Sequence, residues 1–431
     1  MLTAVTRMIT ALEFVVQETP IGTNISLLRL LWAMVNGSFL QSRGAVHGAL
    51  SASDFADDEI RRGWSALRHG SWSIEGLLSA WQIKVAADNE WRERKYEGYK
   101  VNSLDITGFW RPKLKGQVNK LYHATARRAL PAMVFGVMIT AGEIQGQRIP
   151  LLKEIMRCEA ASSETQFRVQ LLEDVSEASL PDEITVMDAG FELGEIVAAK
   201  LERFVVRMAI NCTARRNKLP PYKGRGARPK YGELVRPLPR TRLEKHIAAT
   251  PCDATGTFVY QGRTIRYESW HNLVTTSTPV QPDHPTVSIH VFYDPYYLKP
   301  MVLATDIPLQ AQTVYLVYRD RWPVEHPPLA AKQMIGLHRQ FVSADESCHR
   351  LPELGLLAGN ILTHVAATQP PIPTGFWDRT PKSTPGRLRR LLAKAFFPSL
   401  DALHPELRKK NSVADHLPKG IHAHRRTKTA A

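Results

Sequence analysis

The sequence of 431 residues predicts a mixed α/β layer fold. Apolar, strand-like segments come first, and helical and strand-like segments then alternate. The predicted strands are 101–107, 132–140 and 147–152, followed by helix 162–178, strand 184–188, helix 193–201 and strand 204–210. Alternation of this kind is typical of a sheet covered by layers of helices. Apolar residues make up 44% of the chain and charged residues 23%, and these ordinary globular values exclude wholesale disorder.

The remaining segments predict how the chain is organised around that core. Residues 1–98 are expected to be helical, because apolar residues recur at helical spacing and Asp57-Asp58-Glu59 suits the first turn of a helix. The first strand is expected to end in a turn at Gly108. The predicted parts are 1–98 (helical region), 99–211 (first part of the core), 212–310 (basic loop and β-rich insertion), 311–378 (rest of the core) and 379–431 (basic tail).

Positive charge is concentrated in two segments of a chain whose net charge is +15. Residues 215–245 hold eleven Lys or Arg and residues 379–431 hold thirteen, so the rest of the chain is slightly acidic. Such segments favour a polyanionic partner, because each neutralised phosphate releases a counterion. In the first segment, Gly224, Gly226, Pro229 and Gly232 make a loop suited to a DNA backbone, and the loop carries Arg225, Arg228 and Lys230. For the last dozen residues, a solvated tail is the simpler interpretation.

Several function classes receive no support from the sequence. The chain has no apolar run of the length that a membrane helix needs, and its start lacks the features of a secretory signal. Its four cysteines are widely spaced without a CxxC pair, which indicates neither a zinc site nor a disulfide scaffold. The sequence contains no GxxxxGK[ST] motif, so it does not predict a nucleotide cofactor. We therefore expect a soluble protein of a reducing compartment.

Three acidic residues are candidates for chemistry. Asp105 lies inside an apolar strand, Asp188 ends another strand, and Glu325 follows a predicted helix. A carboxylate in a central strand is costly to bury unless a cation or hydrogen bonds compensate it. Three such carboxylates would form a hard oxygen site suited to Mg²⁺. Simpler interpretations stay open: Asp105 as a turn residue, Asp188 as a helix cap, and Glu325 as an ion-pair partner of Arg321.

Glu325 belongs to a spaced array with Tyr318, Arg321 and Lys332. On an ideal helix at about 100° per residue, all four positions fall on one narrow stripe. Prolines at 323, 327 and 328 interrupt the segment, so the stripe is expected to hold only to about residue 322. Glu325 is then expected to open a new helical segment.

Together these contexts resemble the DDE transposases of bacterial insertion sequences, in the group with the Tyr-Arg-Glu-Lys pattern. The resemblance covers most of residues 90–360 and includes segments 226–232 and 294–306. It implies an RNase H-like mixed sheet flanked by helices, interrupted by a β-rich insertion and preceded by a helical region.

The resemblance also implies residue roles. Asp105, Asp188 and Glu325 would bind two Mg²⁺ ions, with Mn²⁺ as a substitute, and the nucleophile would be water for cleavage and then the freed 3′-OH for joining. By the same resemblance, Tyr318, Arg321 and Lys332 would bind phosphates of the DNA near the end of the insertion sequence.

The implied partner is double-stranded DNA, both as terminal inverted repeats and as target, bound by a homodimer in the bacterial cytoplasm near the nucleoid. No membrane and no nucleotide cofactor are implied. Two alternatives stay open: a metal-dependent nuclease of the same fold that cuts without joining, and a decayed copy that binds DNA without cutting it.

Overall fold

The structure is a computed structural model that describes residues 2–117, 119–158, 163–222, 224 and 226–408. The helices in these ranges are α1 (Leu2–Val16), α2 (Thr23–Val35), α3 (Ser38–Gln41), α4 (Val46–Ser51), α5 (Asp57–His69), α6 (Ile74–Asp88), α7 (Glu164–Ala178), α8 (Leu193–Ala198), α9 (Ala311–Arg319), α10 (His326–Leu329), α11 (Asp345–Ala367) and α12 (Pro385–Leu392). Shorter helical turns lie at Trp322–Glu325, Ala330–Ile335, Leu400–Ala402 and Pro405–Arg408.

The strands run from the end of α6 to the start of α9. They are β1 (Arg92–Glu93), β2 (Lys95–Tyr96), β3 (Tyr99–Trp110), β4 (Lys120–His123), β5 (Arg128–Thr140), β6 (Gly142–Ile144), β7 (Gln147–Arg148), β8 (Leu151–Arg157), β9 (Glu183–Met187), β10 (Phe204–Met208), β11 (Ala214–Arg216), β12 (Leu234–Val235), β13 (Arg240–Arg242), β14 (Lys245–Ile247), β15 (Ala254–Tyr260), β16 (Arg263–Val274), β17 (Val287–Tyr293) and β18 (Met301–Thr305).

One large mixed sheet organises the described residues. Its order is β12-β11-β16-β17-β18-β10-β9-β3-β5-β4, with β8 also beside β5, β15 beside β16 and β2 beside β3. The pairs β3–β9 and β9–β10 are parallel, whereas β3–β5, β5–β8 and β10–β18 are antiparallel. The prediction of a mixed α/β fold is therefore confirmed. Of the strands in the predicted β-rich insertion, β13 and β14 form a separate two-stranded sheet, and the others continue the large sheet through β18. The predicted domain boundaries stay predictions.

Helices cover both faces of the sheet because its strands are apolar on both sides. On one face, Phe135, Val137 and Ile139 of β5 pack with α1, α2, α5, α6 and α11. On the other face, Val134 and Met138 pack with α7 and α8. Adjacent residues of β5 thus serve opposite layers, as the alternation of side chains along a strand requires.

Buried Asn360 joins three of these elements. Its side chain accepts hydrogen bonds from Trp81 Nε1 (2.8 Å) and from the backbone N–H of Leu152 (3.2 Å), and donates one to the carbonyl of Pro150 (2.8 Å). These contacts tie the N-terminal helices to α11 and to β8. A buried amide whose donors and acceptors are satisfied fixes the register between such layers.

Two sequence predictions about strands are wrong. The first strand does not end at Gly108: β3 continues to Trp110, and Gly108 pairs with Val134 of β5. A Cβ on Gly108 would come within 2.6 Å of Leu121, so this glycine allows close packing and does not make a turn. The third strand was predicted at 147–152, but that segment is split between β7, which pairs with β6, and β8, which pairs with β5.

His290 is a buried histidine of β17 whose protonation should affect stability. Its Nδ1 lies 2.8 Å from the Ser269 hydroxyl, and burial, with a smaller contribution from His271, lowers the pKa of His290 from 6.5 to about 4. The unfolded chain therefore takes up a proton near pH 6.5 that the folded chain resists until about pH 4.

As the pH is lowered through this window, we expect His290 to reduce the free energy of unfolding by up to about 3 kcal/mol. This contribution should be absent from the variant His290→Gln. Urea unfolding of both proteins between pH 7 and pH 4 measures the difference. A stability difference that stays constant across this range would contradict the expectation.

No helix in the described ranges is both long and apolar enough to cross a bilayer.

Candidate active site

Asp105 and Asp188 are brought side by side by the parallel pairing of their strands. Leu104 of β3 pairs with Met187 of β9, so the next residue on each strand is an aspartate. Asp105 lies inside β3, and Asp188 directly follows β9. Each carboxylate accepts a hydrogen bond from the backbone N–H of the next residue, at 2.8 Å in both cases. Asp188 does not cap the following helix, since Glu192 occupies the N-cap of α8.

Glu325 reaches the same place along a path different from the predicted stripe. The helix α9 ends at Arg319, a 3₁₀ turn spans Trp322–Glu325, and a π-helical turn spans Ala330–Ile335. The helical stripe therefore ends with α9, close to the expected limit at about residue 322, because Pro323, Pro327 and Pro328 cannot donate the hydrogen bonds of a regular helix. As expected, Glu325 stands at the start of a new helical segment: it ends the 3₁₀ turn and is the N-cap of α10.

Arg321 joins two of the three carboxylates. Its Nη2 lies 3.5 Å from Oδ2 of Asp188 and 3.3 Å from Oε1 of Glu325. The side chain of Arg321 is 6% exposed, and its Nε has no hydrogen-bond partner within the described part of the chain. The ion pair between Arg321 and Glu325 is thus present, but it belongs to a larger cluster that includes Asp188.

The surroundings of Asp105 change its affinity for a proton. Burial raises the pKa of Asp105 to about 6, while the N–H of Ile106 and the charge of Arg321 lower it, and Glu325 and Asp188 raise it further. The charges of Asp188 and Glu325 therefore lie within electrostatic reach of Asp105. A buried carboxylate close to two others is costly without a cation, so the cluster favours binding of positive charge.

Tyr318 contacts Asp188, and Lys332 lies within electrostatic reach of Asp105. The hydroxyl of Tyr318 donates to Oδ1 of Asp188 at 3.1 Å, and burial and the Asp188 charge raise the pKa of Tyr318 to about 12. The ammonium of Lys332 donates to Oγ1 of Thr107 at 2.7 Å. Burial lowers the pKa of Lys332 to about 8, and the charge of Asp105 opposes this shift.

Sequence reasoning missed two neighbours of the cluster. Arg207 places its Nη1 3.8 Å from Oδ1 of Asp188, because Val206 pairs with Met187 in adjacent parallel strands. Thr107, two positions after Asp105 in β3, is the acceptor for Lys332. The sequence signal for Arg207 is a charge at the end of an apolar strand, which becomes informative only when β9 and β10 are known to be neighbours.

The donor set fits divalent metal ions in its chemistry. Its three side chains are carboxylates, which are the ligands that Mg²⁺ and Mn²⁺ prefer. As they are placed in the described part of the chain, no three His, Cys, Asp or Glu side chains, these carboxylates included, lie where they could together hold a metal ion. In this arrangement, Arg321 supplies the positive charge between Asp188 and Glu325.

An open cavity of about 480 Å³ adjoins the carboxylates. Its wall includes Tyr318 and Arg321 of the cluster, and otherwise consists of aromatic, cationic and amide side chains: Gln261, Arg263, Tyr296, Tyr297, Arg319 and Trp322. Trp322 is 62% exposed, so it does not belong to the core. A wall of this kind suits a phosphorylated, planar ligand.

The basic loop is not joined to the cluster. The guanidinium of Arg228 lies 5.9 Å from the ring of Tyr222, and the carbonyl of Lys230 accepts from the N–H of Val280. Arg225 lies outside the described residues. Within the described ranges, no hydrogen bond or ion pair connects Arg228 or Lys230 to the carboxylates, and both side chains are exposed.

Comparison with known proteins gives little further information. No protein-family model matches the chain, and no curated protein matches it. Among solved structures, the chain is similar to that of a cryo-EM structure of the piggyBac transposase synaptic complex with hairpin DNA. The TM-score is 0.38 and the identity 10%, over 92% of this chain and 77% of that one. Values this low do not bear on the function of this chain.

Proposed function

We propose that the chain is a DNA transposase of the DDE type that cleaves the ends of an insertion sequence and joins the freed 3′-OH to target DNA. One observation carries the proposal: Asp105, Asp188 and Glu325, from three distant parts of the chain, converge with Tyr318, Arg321 and Lys332. The mixed sheet flanked by helices supports an RNase H-like core as its scaffold.

The carboxylates would hold two Mg²⁺ ions, with Mn²⁺ as a substitute. When bound, such a pair supplies Lewis-acid stabilisation of the attacking and leaving oxygens in an in-line displacement. Arg321 orients Asp188 and Glu325 through one nitrogen, Nη2. Tyr318 holds Asp188 from the side of the open cavity.

The charge distribution supports double-stranded DNA as the substrate, bound as terminal inverted repeats and as target. The exposed side chains of Arg228 and Lys230 suit backbone contacts, which position DNA without reading its sequence. Because two ends are recombined, we propose a homodimer on DNA.

The products formed from DNA ends test this function. Purified protein is incubated with a linear duplex that carries the DNA flanking its gene, a supercoiled target plasmid, and Mg²⁺ or Mn²⁺. We expect cleavage at the ends followed by covalent joining to the plasmid. Asp283→Asn is the control for substitutions of the three carboxylates, since Asp283 is an exposed aspartate far along the chain from them.

Each other outcome identifies an alternative. Cleavage without joining would indicate a nuclease without strand transfer. Tight DNA binding without any cleavage would indicate a binding protein. Equal cleavage by wild type and Glu325→Ala would contradict the assignment of the active site.

A further inference from the structure

A second cationic cavity lies between the N-terminal helices and α12. It has a volume of about 610 Å³, and its wall is formed by residues around Gly37, by segment 372–374 and by α12 with the residues after it. Four cations contribute to the wall, Arg387, Arg389, Arg390 and Lys394, and no Asp or Glu does. A concave surface with four cations and no acid in its wall is unusual, because charges of one sign repel when they are gathered.

Arg389 is the residue that most requires an anion. Its side chain is half-buried, its Nε is buried without a hydrogen-bond partner, and no carboxylate of the described residues pairs with it. Burial lowers the pKa of Arg389, and the charge of Arg390 lowers it further. A partly desolvated guanidinium without a counter-ion is destabilising, so an anion that enters the cavity would be bound favourably.

The position of Arg389 is fixed by a glycine. Gly37 has a φ of 91°, and a Cβ at this position would lie 3.2 Å from Cδ of Arg389 and 3.3 Å from its Nη1. The stem of the arginine therefore lies closely over the backbone between α2 and α3. A guanidinium held in this way loses less conformational entropy when it binds a phosphate.

Arg387 has a structural role that leaves the other three cations available. It donates to the carbonyl of Ile372 at 2.8 Å and pairs with Asp378 at 2.8 Å. Asp378 in turn accepts from the backbone and the hydroxyl of Thr374, so Arg387 and Asp378 pin both ends of a short turn at the edge of the cavity.

Two aromatic residues project from that turn. Phe376 and Trp377 are 97% and 66% exposed, and their rings contact each other at a centroid distance of 5.0 Å. Exposed aromatic rings beside arginines are typical of surfaces that bind nucleic acid, where rings contact bases or sugars and arginines contact phosphates. An acidic protein or a free anion would not account for the exposed rings.

We propose that this cavity is a second nucleic-acid site, in which Arg389, Arg390 and Lys394 bind backbone phosphates and the rings of Phe376 and Trp377 contact the adjacent nucleotides. The inference rests on the proposed action on DNA, but not on any catalytic role of the carboxylates. The segment that carries Lys332 reaches α12: Met334, two residues after Lys332, places its sulfur 3.4 Å from where a Cβ on Gly386 would be.

The test measures binding of the full chain to a 20-base-pair duplex of arbitrary sequence, in EDTA so that no cleavage occurs, at several salt concentrations. The variants are Arg389→Gln with Arg390→Gln, and Lys394→Gln alone in case the double variant unfolds. Arg68→Gln is the matched control, since Arg68 is an exposed arginine of α5 outside the cavity. Melting temperatures verify folding.

We expect the double variant to bind about ten-fold more weakly than wild type, and the control to bind like wild type. The slope of log affinity against log salt concentration should fall, in the double variant, by the equivalent of about two phosphate contacts. Equal affinity and salt dependence in all variants would overturn the second site. If inorganic phosphate, at ionic strength matched with chloride, stabilises wild type but not the variant while DNA affinity is unchanged, the cavity takes a free anion and the nucleic-acid assignment is wrong. If wild type binds no DNA, the proposed function fails as well.

Discussion

Replacing Asp188 with Asn is expected to reduce metal-dependent DNA cleavage at least about 10³-fold, because the substitution removes a charge at the centre of the cluster and preserves the shape of the side chain. Asp188 contacts Tyr318, Arg321 and Arg207 at once. An uncharged amide can accept the hydrogen bond from Tyr318 but cannot compensate a divalent cation. The loss should therefore appear in the cleavage rate and not in folding.

Cleavage of an end-bearing duplex under single-turnover conditions measures this effect, with DNA affinity determined separately in EDTA. Affinity is expected to be equal to wild type or slightly higher, since one negative charge near the phosphates is removed. The variant Asp283→Asn should behave as wild type. Cleavage by Asp188→Asn within ten-fold of wild type would show that the cluster is not the active site.

Replacing Asp320 with Ala is expected to destabilise the chain by about 3 kcal/mol, because it removes a buried carboxylate that pairs with the half-buried Arg94 and Arg148 and leaves Arg94 with Glu143 alone. The side chain of Asp320 is 1% exposed, its Oδ2 accepts from Arg94 Nε (2.7 Å) and Tyr96 (2.6 Å), and its Oδ1 lies 2.7 Å from Arg148 Nε. Burial, and then the charge of Asp320, raise the pKa of Tyr96 to about 12, which keeps its hydroxyl a donor.

The free energy of unfolding in urea tests this expectation. Asp58→Ala is the control, because Asp58 forms an exposed ion pair with Arg62 on α5, which should be worth at most about 0.5 kcal/mol. Asp320 directly precedes Arg321, so a partly folded Asp320→Ala protein should also lose cleavage. Unchanged stability in Asp320→Ala would mean that water replaces the carboxylate. The segments that carry Arg94 and Tyr96, Arg148, and Asp320 would then be held together by packing alone.

The sequence placed Asp105 in a strand and Asp188 at the end of one because an apolar strand is a local pattern, and the catalytic roles of these residues stay predictions. Asp105 and Asp188 stand among apolar residues of adjacent strands, and that pattern is visible in any single sequence. The strand that passes through Gly108 was not predictable, since the space for Leu121 exists only after β4 folds onto β5.

The break in the helix around Glu325 was predictable from the prolines, but the path of the chain after it was not. A regular helix would align Tyr318, Arg321, Glu325 and Lys332, but prolines replace it with three different kinds of turn. The side chains still converge, because the turns together wrap the segment around the end of β3. Arg207 and Asp320 were missed since their partners are brought to them by sheet order, which no local pattern contains.

The continuity of the large sheet limits how the chain can be shortened. One edge of β10 pairs with β9 and the other with β18. Deletion of residues 212–310 would remove β18 and uncover the backbone of Val205 and Val206, two buried residues. A bare, apolar edge strand recruits other chains. Such a truncated protein would aggregate before its chemistry could be assayed. Residues 212–310 are therefore required for the folded sheet and cannot be removed as an independent domain.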